Sequence, residues 1–187
     1  MPPPYGHSCQ DHRVGGDELV AIYDDHARVV GSTTRADVRA RGLWHAAAVV
    51  LVRSGDGGSV YVHRRTATKD VYPSAFDCWA GGVVAAGETP DECARRELGE
   101  ELGIHGVRPV PLFSWAFEQG SVRCHNFTYE VRWDEPVVHQ PEEVADGWWM
   151  PLEELHTWLR ADDGTFVPDG RLGTLEWFRR FGRGSPR

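Results

Sequence analysis

The sequence predicts an α/β protein of one domain, a sandwich on a mixed sheet and not a parallel doubly wound one. Strand-like segments lie on both sides of a single, strongly punctuated helix, and two further helical segments close the chain. The length of 187 residues slightly exceeds the roughly 150 residues of a common domain, so one domain with terminal excess is expected. No internal repeat is visible.

Residues 1 to 16 open on Met1-Pro2-Pro3-Pro4 and continue through a polar stretch, which reads as a disordered lead-in. Its His7, Cys9 and His12 lack a fourth ligand for a metal site. Residues 18 to 31 read as a short strand, a turn and a second short strand. The β-branched-rich segments 43 to 53 and 59 to 64 are joined by Ser54-Gly55-Asp56-Gly57-Gly58, a hairpin signal. From Trp79 to Glu88 a strand runs into a loop, and its paired Gly81 and Gly82 allow close approach of backbone to a ligand. Thr89 can cap, Pro90 suits a first helical position and Gly103 stands where a helix should stop, so a helix is predicted over 89 to 102. Strands over about 110 to 118 and 122 to 133 follow, separated by Gln119-Gly120-Ser121. A short strand at 147 to 150, a helix at 151 to 159 and a last helix at 168 to 181 precede a loose tail, 182 to 187.

Hydrophobic residues make up 41% and charged residues 26%, enough apolar material for a packed core. The net charge of −8 argues against a surface that coats nucleic acid. The longest apolar run, Ala46 to Val52, is far short of the roughly 20 residues that span a bilayer, and the start lacks a secretory signal. A cytoplasmic protein is expected, with no membrane and no nucleic-acid partner. Cys9, Cys78, Cys93 and Cys124 form no CxxC pair and read as reduced thiols. All but one of the basic residues are Arg, and Lys69 is the exception.

In the central helix, offsets of three and four place Glu97, Glu100 and Glu101 on one face, while Ala94, Leu98 and Leu102 form an adjoining core-facing stripe. Clustered like charges cost a helix a few tenths of a kcal/mol per pair, a cost that a divalent cation reverses. A solvated acidic face is the bland alternative, but it does not account for the glycine-rich run that precedes the helix.

With spacings, residues 82 to 104 read G-x5-E-x7-R-E-L-x-E-E-x-G-I, from Gly82 through Glu88 and Arg96 to Ile104. Every fixed position of the Nudix signature is filled, and the chain resembles a Nudix hydrolase. The resemblance implies a Nudix-type α/β/α sandwich over residues 17 to 181, with its box at 82 to 104. It also implies Mg²⁺, or Mn²⁺ in its place, held by Glu97, Glu100 and Glu101, with Arg96 pairing to orient the glutamates. Water would attack one phosphorus of a small-molecule diphosphate. Catalytic weight then falls on Arg96, Glu97 and Glu101, with Glu118, Glu142 and Glu143 as further candidates for the base or a ligand.

Trp44-His45, the segment Val62 to Lys69, Tyr72-Pro73 and the glycine pair look like the branch that contains isopentenyl-diphosphate isomerases and their hydrolase relatives. In that branch Arg65 and Lys69 would hold the diphosphate, beside Gly81 and Gly82; a solvated strand end is the plain alternative. The isomerases' catalytic Cys falls on Gly81 and two of their metal histidines fall on Val38 and Val83, so only His45 matches and the hydrolase relatives are the nearer pattern. Cys78, three residues earlier, reads as a strand cysteine. An isomerase-like enzyme and a silent ligand-sensing Nudix module are the alternatives. Trp79, Trp115, Trp148 and Trp149 are candidate pocket walls, with core packing the heavier reading for most of them. A nucleoside diphosphate, a nucleotide linked to another moiety and an isoprenoid-like diphosphate all remain open as substrates, and a homodimer is compatible with the sequence.

Overall fold

The structure, a computed structural model, describes residues 16–182. The lead-in before Gly16, with His7, Cys9 and His12, and the tail after Gly182 lie outside the described residues.

β1 (Leu19–Tyr23) and β2 (Val29–Thr34) pair as an antiparallel ribbon. A short helix that the sequence reading missed, α1 (Arg35–Arg41), follows. Its signals are local: Thr34 accepts from the Asp37 N–H, and Gly42 ends the helix at φ 60°. Next come β3 (Trp44–Arg53), β4 (Ser59–Arg65), β5 (Phe76–Asp77), β6 (Trp79–Val83) and α2 (Pro90–Leu102). β7 (Val110–Gln119), β8 (Val122–Arg132), β9 (Val144–Pro151), α3 (Leu152–Ala161) and α4 (Pro168–Phe181) complete the chain.

The sheet is mixed, as expected. β3 runs parallel to β8 along its whole length, from Trp44 opposite Arg123 to Arg53 opposite Arg132, and antiparallel to β6 on its other edge. β7 closes the far side against β8, and β4 pairs with β5 and β9. The 43–53 and 59–64 segments are strands, but the expected hairpin exists only at its base. Arg53 opposes Val60 and the Ser54 N–H donates to Ser59 O, after which the two strands part. The reason is edge occupancy: both edges of β3 are taken by β6 and β8, so β4 finds its partners elsewhere.

β3 is apolar on both faces because both are covered. Ala46, Ala48, Val50 and Val52 join Leu98 and Leu102 of α2 in one core cluster. On the opposite side Leu51 and Trp79 pack with Leu155, Leu159 and Trp177 from α3 and α4. Helices therefore lie on both faces of the sheet. Burying each such leucine contributes about 2 kcal/mol relative to leaving it in water. Among the described residues no helix is long and apolar enough to cross a membrane.

Candidate active site

α2 is fixed at both ends by its own sequence. Thr89 accepts from the Glu92 N–H while the Glu92 carboxylate accepts from the Thr89 N–H at 2.9 Å, and Pro90 fills the first helical position. At the other end Gly103 takes φ 65° and its N–H returns to Gly99 O. A non-glycine residue would be strained there.

The three box carboxylates do not share one environment. Glu100 is half exposed (52%) and bonded to Arg96, whereas Glu101 (6%) and Glu97 (14%) are turned in against β6. Glu101 Oε2 accepts the Gly81 N–H at 2.9 Å. A Cβ on Gly82 would stand 2.1 Å from Glu97 Oε1, so the glycine makes room for that carboxylate. A Cβ on Gly81 would stand 2.1 Å from Ala48 O, so this glycine lets β6 lie close on β3. The chain itself fills the space that the glycine pair frees.

Arg96 reaches Glu88 with Nε and Nη2 at 2.9 and 3.0 Å, and Glu97 and Glu100 with Nη1 at 2.7 and 3.0 Å. One guanidinium thus spans three carboxylates, a geometry its rigid fork suits. Lys69 Nζ lies 4.0 Å from Glu101 Oε1 and pairs with Glu143. Burial, and then the Glu97 charge, push the Glu101 carboxyl well above the ordinary carboxylate range. Burial raises Glu97 too, against the pull of Arg96. Burial lowers Lys69, and Glu101 opposes that shift. Two buried carboxylates side by side thus lack enough positive charge to settle both.

Beside this cluster a cavity of about 210 Å³ opens on the α4 side of the sheet. Gly81, Gly82 and Arg65 stand at its boundary with the box, and its walls include His45, Val83, Asn126, Asp77 and Asp169. Asp77 Oδ1 accepts the N–H groups of Cys78 and Trp79 at 2.8 and 3.1 Å. Burial and the neighbouring Asp169 raise its carboxyl to about 7.

The NUDIX domain family matches residues 43–170, well over half of the chain. The chain belongs to the Nudix family. It is 50% identical over 164 residues to the uncharacterized Nudix hydrolase orf19 of Rhodococcus erythropolis, covering 83% of this chain and 89% of that protein. With the uncharacterized Nudix hydrolase YfcD of Escherichia coli strain K12 it shares 34% over 171 residues, covering 91% and 92%. The crystal structure of DR0079 from Deinococcus radiodurans superposes with a TM-score of 0.74 at 28% identity, covering 89% of this chain and 100% of that one. The MutT protein of Methanosarcina mazei Go1 gives 0.62 at 21%, covering 75% and 96%, a likeness of fold alone. Nudix hydrolases in general act on diphosphate bonds of small molecules and typically use divalent metals.

Several sequence expectations for this Nudix site meet in space and others do not. Arg96, Glu97, Glu101, Lys69, Glu143, Gly81 and Gly82 converge at the edge of β6. Arg65 adjoins them, donating Nη2 to Val71 O at 3.1 Å while its buried Nε has no partner. Glu100 is drawn to Arg96 and solvent, and among the described residues no three His, Cys, Asp or Glu side chains gather as a ready cation cage. Glu118 stands apart: it is 59% exposed and paired with Arg123, because β7 alternates and turns Phe117 inward instead. Of the four tryptophans, Trp79 alone lines the cavity. Cys78 is buried and bonded to Thr174, with its thiol pushed well up by burial.

Val38, His45, Gly81 and Val83, the positions that correspond to the isomerases' metal ligands and catalytic Cys, all line this one cavity. Three of the four side chains there are apolar or absent. The sequence reading missed Asn126, Asp77 and Asp169. The signal available for Asn126 was phase: Cys124, Asn126 and Thr128 are polar at alternating positions that should face a core.

Proposed function

We propose that the protein is a Mg²⁺-dependent diphosphohydrolase that directs water at one phosphorus of a small-molecule diphosphate. The observation that carries this reading is the pair of buried carboxylates, Glu97 and Glu101, beside Lys69 with too little positive charge to neutralise them. Hard oxygen donors with excess negative charge fit Mg²⁺ or Mn²⁺. Glu97 and Glu101 would hold the ion, and Glu100 would join by turning away from Arg96. When bound, the ion supplies charge neutralisation for the diphosphate oxygens.

This chain's own residues do the rest. Lys69 and Arg65 approach the diphosphate from the 65–75 loop and offset its charge. Arg96 fixes the rotamers of Glu88 and Glu97, so it positions and does not touch substrate. Glu101, anchored by the Gly81 N–H, is the favoured acceptor for the proton of the attacking water, with Glu97 second. Glu143, held by Lys69, remains a further candidate. Glu118 is exposed on β7 and drops to the end of that order.

The test is a panel of diphosphates assayed with and without Mg²⁺, both products being identified. Metal-dependent release of phosphate or a phosphomonoester is expected. A panel left intact under all metals would overturn the reading. Interconversion of isopentenyl and dimethylallyl diphosphate, followed by NMR, is expected to be absent, since Gly81 and Val83 offer no ionisable side chain to move a proton.

A further inference from the structure

Two of the charged groups at the box come from segments that share no regular element. Lys69 lies in the 66–75 loop between β4 and β5, Glu143 lies in the 138–143 strap before β9, and their side chains pair beside Glu101. The strap is tied to α2: its Val138 and Gln140 N–H groups donate to Leu102 O and Glu101 O, each at 3.0 Å. The loop holds Tyr72 and Ser74 at φ 52° and 61°. Residues with a Cβ keep such left-handed conformations only where their surroundings hold them there.

One residue fastens loop to strap. β4 slips register on β9 between Arg64 and Arg65, a bulge that re-aims the side chains after it, and Thr66 is buried against the strap. Its N–H donates to Glu143 O at 3.1 Å and its hydroxyl donates to Glu142 O at 2.9 Å. Its carbonyl accepts the N–H groups of Lys69 and of the strained Ser74 at 3.4 and 3.2 Å. A hydroxyl has one proton, and Thr66 spends its own on Glu142 O, so the 3.0 Å contact between the Thr66 and Thr68 hydroxyls is donated by Thr68. Thr66 thus grips the backbone of Glu142 and Glu143 on one side and the loop that carries Lys69 on the other.

We propose that Thr66 is a positioning residue: by fastening the 66–75 loop to the 138–143 strap it sets Lys69 and Glu143 in register beside Glu101. This rests on the diphosphohydrolase reading above, in which Lys69 meets the diphosphate. A lysine brings one point charge on a flexible four-carbon stem, so where its Nζ can stand depends on where its backbone is held. Small displacements of such groups are felt in the kinetics. Thr66 itself touches no substrate.

The experiment is a double-mutant cycle on the steady-state kinetics of a diphosphate that the wild type cleaves with Mg²⁺. Thr66→Val, close in shape, keeps the N–H bond and loses the hydroxyl; it should raise KM about fivefold with kcat within about twofold. Thr66→Ser, which keeps the hydroxyl, should stay within about twofold of the wild type in both constants. In a Lys69→Ala background Thr66→Val should add less than about twofold, since the group it positions is gone. A Thr66→Val protein that folds and keeps the wild-type KM, or one whose KM rises equally with and without Lys69, overturns the proposal. If Thr66→Val does not fold, Thr68→Val decides, because Thr68 is exposed and donates to the same hydroxyl. A rise in KM of at least about threefold that vanishes in the Lys69→Ala background supports the proposal, and the lack of such a rise overturns it. If no diphosphate is cleaved, the hydrolase reading fails separately, and calorimetric titration with methylenediphosphonate in Mg²⁺ decides this one through the same cycle. Binding weakened at least about threefold by Thr66→Val only where Lys69 is present supports it, and no binding to the wild type, or equal binding by wild type and variant, overturns it.

Discussion

The two ends of the site are built by different means. At the box end, charge is concentrated: Glu97, Glu101 and Lys69 lie within one cluster, and Arg96 ties Glu88, Glu97 and Glu100 together. Four of its six charged groups, Arg96, Glu97, Glu100 and Glu101, come from one capped helix, packed against the glycine pair of β6. At the cavity end, α1, β3, β6, β8, the 65–75 segment and the start of α4 each contribute a few groups, many of them apolar. On the proposed reading, the first end would handle a feature common to all diphosphates, for which one local motif suffices. On the same reading the second would tell one diphosphate from another, and its groups come from distant parts of the chain.

Changes at the box end should therefore strike turnover, and the largest effect is expected for Glu101→Gln. It should lower kcat at least about a hundredfold while the melting temperature holds. Unchanged turnover would remove Glu101 from the reaction. Next, Gly82→Ala drives a Cβ into Glu97 and should cost about tenfold in kcat, whereas Gly106→Ala, with open space around its Cβ, should leave activity intact and only strain the backbone. If Gly82→Ala retained full activity, the position of Glu97 would not matter.

Lys69→Ala should raise KM for a diphosphate about tenfold, and Arg108→Ala, at a surface remote from the box, should not. Equal kinetics of the two variants would remove the phosphate role of Lys69.

The cavity end should instead show itself in stability, through Asp77. Below about pH 4 this carboxyl is protonated in both folded and unfolded chains. Between there and about 7 the folded chain alone keeps the proton, so stability falls as pH rises through that window, and above it the full cost of burying the charge is present. Asp77→Asn should therefore lose less stability than the wild type between pH 4 and 8, by about 1 to 4 kcal/mol, read from urea unfolding of the metal-free protein. Parallel pH profiles would show that Asp77 ionises freely.

The bounds of α2 were legible in the sequence because a cap, a first-turn proline and a terminating glycine act over a few residues, and Pro168 marked the start of α4 in the same way. The box was legible for the same reason: its spacing is the period of a helix. β7 and β8 were found within a residue or so. The 43–64 segment was legible as two strands and a turn but not in its pairing, because a turn signal says that the chain reverses, and not whether the strands stay paired once other strands compete for the same edge. Glu118 was a fair candidate by composition, and the phase of β7 alone turns it to solvent.

By itself, then, the sequence determined the capped helix, the carboxylates on its face and the glycine run before them. Each depends on residues within a turn or two, where geometry is fixed by the backbone's own periodicity. Tertiary structure alone decided that Glu101 is buried and Glu100 is not, that Lys69 from a loop outside the box reaches Glu101, and that Asn126 meets a cavity with a free donor. Those facts depend on which face of a strand or helix is covered, and that is settled only when elements far apart in the chain compete to exclude water.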